Sequence, residues 1–159
     1  MIQDLFNNMQ YFTAQLPELL QWFGVMVAGA IPFLEGYSAA VIGIVVGISP
    51  IVAVFAAILG NTCSMLVGAF GADWLRGRLH TDTEKRQAKH EKLRSTYEKY
   101  GVPVVSLIAE MWVPSIITTV LLISFGASRT RVIIWQIVAI TVWAVGAALV
   151  TTGVLSIAL

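Results

Sequence analysis

Basic residues are missing from most of this chain. Residues 1–75 contain no lysine or arginine, and none follows Arg131. Charged residues of both signs make up only 12% of the 159 residues, and the mean hydropathy is +0.80. A soluble domain carries about 25% charged residues, so a soluble enzyme is excluded by composition. A single cysteine, Cys63, excludes an intramolecular disulfide and a cysteine-ligated metal. Within an apolar stretch it reads as a small packing residue. The N-terminus lacks the basic segment and small-residue cleavage site of a signal peptide. There is no phosphate-binding glycine loop, nucleophile elbow or zinc-ligand spacing. His80 and His90 lie ten residues apart with no partner motif. Neither a metal, a cofactor nor enzymatic catalysis is expected. The net charge is +1, with Asp82, Glu84, Glu91 and Glu98 among the basic residues, so nucleic acid is not an expected partner.

What is present is concentrated. Eight of the ten basic residues, Arg76, Arg78, Lys85, Arg86, Lys89, Lys92, Arg94 and Lys99, fall within residues 76–99. The remaining two are Arg129 and Arg131. Two apolar stretches, 19–72 and 102–159, flank the basic segment. Each is two to three times the roughly 20 residues that one spanning helix needs. Lysine and arginine concentrate on the cytoplasmic side of a bilayer. The pattern predicts a multi-pass protein of a bacterial plasma membrane, with 76–99 cytoplasmic and both termini extracytoplasmic.

Residues 1–15 form a predicted amphipathic helix. Ile2, Leu5, Phe6, Met9 and Phe12 share one face, opposite Gln3, Asp4, Asn7, Asn8 and Gln10. It either lies on the outer membrane surface or packs as a cap on the bundle. Residues 17–75 form a first repeat. Pro17 and Glu18 open a helix that is interrupted at 31–36 by Pro32, Glu35 and Gly36, and again at Gly47–Ser49–Pro50. The segments between are about half a bilayer long, so they read as the two arms of a re-entrant hairpin, followed by a full span over 51–73. Residues 100–159 repeat the plan: a short helix to Trp112, a break over 110–114, a return arm to Phe125 and a full span from Val132 to about Ser156. Val41/Val120, Ile44/Ile123, Gly47/Gly126, Ser49/Ser128 and Thr62/Thr141 align without gaps. One full span per repeat makes the repeats inverted. A five-span layout with full-length helices has the same charge parity. Residues 76–99 are expected to be a solvated helix, with a capping box at Thr81–Glu84. The fold class expected is an all-α integral membrane protein, in one membrane domain built as an inverted repeat of re-entrant hairpin plus transmembrane helix.

Glu35 and Glu110 are the leading site candidates, each an acid at a break. A charge in hydrocarbon costs roughly 2.5–3.5 kcal/mol or more, so intramembrane carboxylates face cavities or cap half-helices. Desolvation disfavours a carboxylate's charged form, which suits proton binding and release. Pro32 and Pro114 mark the breaks, and Tyr37, Asn61 and Trp112 are the polar or aromatic residues near them. Trp112 is either an interfacial anchor or a stacking platform. Arg129 and Arg131 either anchor the cytoplasmic side or reach an anionic substrate group. Small residues recur at every fourth position in both spans: Ala56, Gly60, Ser64, Gly68, Ala72, and Ala144, Ala148, Thr152, Ser156. Such faces let helices approach closely, within a chain or between copies.

The run Gly29–Ala30–Ile31–Pro32 through Glu35, then Gly47, Pro50 and Gly60–Asn61, resembles the small multidrug export family of bacterial membrane proteins. So does the second half, through Tyr100–Gly101, Pro114, Gly126–Ala127–Ser128–Arg129, Trp135 and Trp143; more distantly this half is similar to the DedA group. The resemblance spans about residues 24–146. It implies paired re-entrant hairpins and a transporter or lipid-moving function. DedA proteins carry an arginine shortly after the second hairpin's proline, whereas Pro114 is followed here by Ser–Ile–Ile–Thr–Thr. The expected function is a small proton- or cation-coupled exporter of an amphipathic molecule or lipid. The alternatives are a flippase or scramblase for a polyprenyl phosphate, or a non-catalytic subunit of a membrane complex. Expected partners are membrane lipid, an amphipathic or lipid-phosphate substrate, and further copies or a membrane complex.

The charge map predicts sidedness. In a Cys63→Ser background, a cysteine at Ser95 should resist an impermeant maleimide added to intact cells, and one at Asn8 should react. Labelling at 95 from outside contradicts this topology.

Overall fold

A computed structural model describes residues 2–78 and 101–158, with the backbone alone for 72–78 and 158. Of the solvated helix expected over 76–99, residues 79–99 with the capping box lie outside the described residues, as do the side chains of Arg76 and Arg78. The described chain is all-helical, without strands. In order come α1 (Ile2–Gln15), a 3-10 turn (Glu18–Leu20), α2 (Gln21–Ala30), α3 (Glu35–Val46), α4 (Pro50–Arg78), α5 (Val102–Ala109), α6 (Ser115–Ser124) and α7 (Arg129–Ala158).

Helix lengths fall into two classes. α2, α3, α5 and α6 have 10, 12, 8 and 10 residues, about 12–18 Å each. α4 and α7 have 29 and 30 residues, above the 20 or so that cross a bilayer. Within them, Pro50–Gly71 and Arg129–Ile157 are apolar enough to do so. Large apolar side chains such as Ile51, Phe55, Val67, Leu149 and Val154 remain exposed along them.

Both halves turn the second short helix into the long one with the same bonds. Gly47 has φ 101° and Gly126 φ 99°. The Gly47 N–H donates to the Ile44 carbonyl at 3.0 Å and the Ile48 N–H to Gly43 at 2.9 Å. The Gly126 N–H donates to Ile123 at 3.0 Å and the Ala127 N–H to Leu122 at 3.1 Å. This is the Schellman closure, and its left-handed residue selects glycine. The long helices then open alike: Ala53 N–H donates to the Ser49 carbonyl at 2.9 Å, and Val132 N–H to that of Ser128 at 3.0 Å. Ser128 also accepts the Arg131 N–H on its Oγ at 3.3 Å, an N-cap bond. The gapless alignment of the halves therefore extends to individual hydrogen bonds.

The chain forms two compact units, residues 1–64 with 139–159, and residues 65–138. α4 and α7 each belong partly to both. In the first unit, Val25, Ala28, Leu34, Ala39, Ala40 and Ile42 pack with Ala56, Ala57 and Ala144. α1 lays Leu5, Phe6 and Met9 against this cluster, leaving Ile2, Tyr11 and Phe12 exposed. Of the two readings of α1, the packed cap describes these contacts. In the second unit, Ala69, Val102, Leu122, Ile123, Ala127 and Val132 form the apolar core.

The small-residue face of α4 is used within the chain. A β-carbon on Gly60 would collide with the Met26 carbonyl oxygen of α2, and one on Gly29 would lie 2.6 Å from the Ala57 oxygen of α4. Further along, a β-carbon on Gly68 would meet Ile116 Cγ1 of α6 at 2.6 Å. Cys63 is exposed, which corrects its reading as a packing residue; the buried face of α4 runs through Ala57, Gly60 and Asn61 instead.

A β-carbon on Gly47 meets nothing within 4 Å, so Gly47→Ala isolates the backbone term. It should cost about 1–2 kcal/mol. Gly60→Ala must push two backbones apart and should cost about 1–3 kcal/mol from overpacking alone. Thermal melts in detergent check both; an unchanged Gly60→Ala midpoint contradicts the close packing of α2 on α4.

Candidate functional site

The first break, residues 31–34, interrupts α2 after Ala30. Ile31, which precedes Pro32, is extended at φ −78°, ψ 122°, as a residue before proline prefers. Phe33 and Glu35 then take positive φ, 75° and 56°. Left-handed backbone at non-glycine residues costs on the order of 1–3 kcal/mol and persists only where surroundings enforce it. Here Leu34 is buried between them, and the Glu35 side chain is held from across the unit.

That hold comes from Asn61. Its Nδ2 donates to Glu35 Oε2 at 2.7 Å. Glu35 is 3% and Asn61 1% exposed. Gly60 permits the contact: without a side chain there, α4 closes on the C-terminal end of α2, and the next residue reaches the carboxylate. Gly36 lies against the pair: a β-carbon on it would sit 3.4 Å from both Asn61 Nδ2 and Ile140 Cγ2, an ordinary contact distance. Beside Asn61, the Thr62 Oγ1 is buried with no hydrogen-bond partner.

The second break, 110–114, belongs to the other unit. Glu110 is 3% exposed and is the C-cap of α5. The chain turns through Trp112 N–H to Ala109 oxygen at 2.9 Å and Val113 N–H to the same oxygen at 2.8 Å. Pro114 then caps α6 in extended conformation, φ −51°, ψ 137°. The two acids thus take different places: Glu110 leads into its break, and Glu35 follows its own as the first residue of α3. The expected break over 31–36 is accordingly shorter, because Glu35 and Gly36 are already helical.

The remaining candidates divide. Asn61 joins Glu35, Tyr37 is half-buried, and Pro32 is exposed while Pro114 is buried. Trp112 is 81% exposed, which suits an anchor at the surface of the fold. Arg129 is half-buried, its guanidinium carbon 5.4 Å from the centroid of the Phe70 ring, a cation–π contact. Arg131 is exposed.

Sequence reasoning passed over a group of polar residues in the second unit. Ser106, Ser115, Thr118, Thr119 and Gln136 are all buried. The signal available was spacing: Ser106 stands four residues before Glu110, and Ser115, Thr118 and Thr119 share one face of α6. Among the described residues no cluster of three or more His, Cys, Asp or Glu could hold a metal ion. Compared with known proteins, the chain matches no family model, no curated sequence and no solved structure.

The Asn61–Glu35 bond can be measured by a double-mutant cycle. Asn61→Ala should destabilise by about 1–3 kcal/mol, and much of that loss should vanish in Glu35→Gln, giving a coupling of at least about 0.5 kcal/mol. Strictly additive losses in chemical denaturation would mean that the pair does not interact.

Proposed function

We propose that this chain is a small secondary transporter of a bacterial plasma membrane, exporting an amphipathic molecule or lipid with Glu35 and Glu110 as proton or cation sites. The observation that carries this reading is Glu35: a buried carboxylate, bonded to Asn61 at 2.7 Å, at a strained break between two half-length helices. Irregular backbone at membrane depth is tolerated only inside protein or beside a wet cavity, and broken helices are where transporters bind their ions. A strained, buried acid fits that role better than a scaffold role, because strain and desolvation both lower stability.

The topology belongs to the same proposal. α4 and α7 span the bilayer with their exposed apolar sides in lipid. α2–α3 and α5–α6 are re-entrant hairpins of an inverted repeat. Residues 76–99 are cytoplasmic, and both ends are extracytoplasmic. The matched Gly47 and Gly126 closures support the repeat. A second reading, a flippase for a lipid phosphate, draws support from the half-buried Arg129 at the head of α7.

Liposomes loaded with a pH-sensitive dye and given ethidium test the transporter. Wild type should move protons against ethidium across an imposed pH gradient. Glu35→Gln should fold and lose both the flux and its pH dependence, with Glu110→Gln equally or less affected. Unchanged rate and pH dependence in Glu35→Gln sinks the proposal. Movement of a fluorescent phospholipid indifferent to pH favours the flippase.

A further inference from the structure

Six buried side-chain atoms have no hydrogen-bond partner among the described residues, and five of them lie in the second unit: Ser106 Oγ, Thr118 Oγ1, Thr119 Oγ1, and Gln136 Nε2 and Oε1. Leaving a buried polar atom unpaired costs about 1–3 kcal/mol, and native interiors hold few such atoms. A serine or threonine in a helix has an easy remedy, the carbonyl one turn back. Thr13, Thr151 and Thr152 use it. Ser106, Thr118 and Thr119 do not.

Helical register brings these groups to one level. Val102, Leu122, Ile123 and Val132 pack in one apolar cluster. Ser106 is one turn beyond Val102 on α5, and Gln136 one turn beyond Val132 on α7. Thr118 and Thr119 are one turn before Leu122 and Ile123 on α6. The chain reverses between α6 and α7 at the Gly126 closure, and α5 and α6 pair as a hairpin across the 110–114 turn, so one turn back on α6 runs the same way as one turn forward on its neighbours. Three helices thus place a polar layer next to an apolar one. Glu110, one turn beyond Ser106, brings the carboxylate on that face.

We propose that this layer binds a dehydrated sodium ion, with Ser106, Thr118, Thr119 and Gln136 as neutral oxygen donors and Glu110 as the charge. Hydroxyl, amide and carboxylate oxygens are ligands for hard cations. One carboxylate balances one positive charge, and buried net charge is costly, so the set suits a monovalent ion over a divalent one. An anion is disfavoured by Glu110 and by the α5 C-terminus, whose carbonyls carry partial negative charge toward it. Among the described cations of the unit, the Arg129 guanidinium lies over the Phe70 ring and Arg131 is exposed. This deepens the transporter reading and rests on it for the use the ion is put to; sodium binding itself does not depend on transport.

Equilibrium binding of radioactive sodium to the purified full chain, and melting in sodium chloride against choline chloride at equal ionic strength, test it. Wild type should bind sodium and melt a few degrees higher in sodium. Thr119→Val and Gln136→Met should lose about tenfold or more in sodium affinity. In choline both should be as stable as wild type or more so, because each removes an unpaired polar group. Absence of sodium binding by wild type overturns the proposal and assigns the layer to water, whatever the transport result. Retained sodium affinity in both variants overturns it too. Sodium binding with no transport overturns the transporter reading and leaves the site standing.

Discussion

Helix breaks inside apolar segments are the constraint on which the rest of this molecule depends. Ending a helix after about ten residues releases backbone donors and acceptors where no water is assured, and each one left unpaired costs several kcal/mol in an apolar medium. The chain answers locally. Ile31, Leu34 and Glu35 share bonds around the first break, with Leu34 N–H donating to the Ile31 oxygen at 3.2 Å. The second break closes on the Ala109 oxygen. The Gly47 and Gly126 closures then absorb the carbonyls at the far ends of α3 and α6. Only with these ends satisfied can half-length helices pack beside long ones.

Close packing follows from the same economy of side chains. Gly29 and Gly60 let α2 and α4 touch through backbone atoms, and Gly68 admits Ile116. Where helices approach this closely, the next residue along can reach across, and Asn61 does so to Glu35. The strained backbone at Phe33 and Glu35 is tolerated because packing at Leu34 and the Asn61 bond leave it no easier alternative. Fold and candidate site are therefore one arrangement: the glycine that packs α4 also delivers the amide.

The two units differ in how they treat polar groups. In the first, the buried acid has a named donor from another helix. In the second, three hydroxyls and an amide are buried without hydrogen-bond partners among the described residues. A matched order of elements therefore carries two different interiors.

Much was legible in the sequence. Helix lengths, both breaks, the Gly47/Gly126 correspondence and the candidacy of Glu35, Asn61 and Glu110 follow from proline, glycine and acid positions in apolar runs, because each acts on its own stretch of backbone or on its own solvation. Other features depend on which faces meet, and periodicity is silent about that. Cys63 and Asn61 sit two residues apart on one apolar helix, yet packing exposes the first and buries the second. The packed α1, the positive φ of Phe33 and Glu35, and the burial of Ser106, Thr118, Thr119 and Gln136 are likewise decided in three dimensions. Composition and local chemistry determined where this chain bends and what it is made to avoid; tertiary packing alone decided which polar atoms are shut away from water together, because burial belongs to the assembly of helices and to no single one of them.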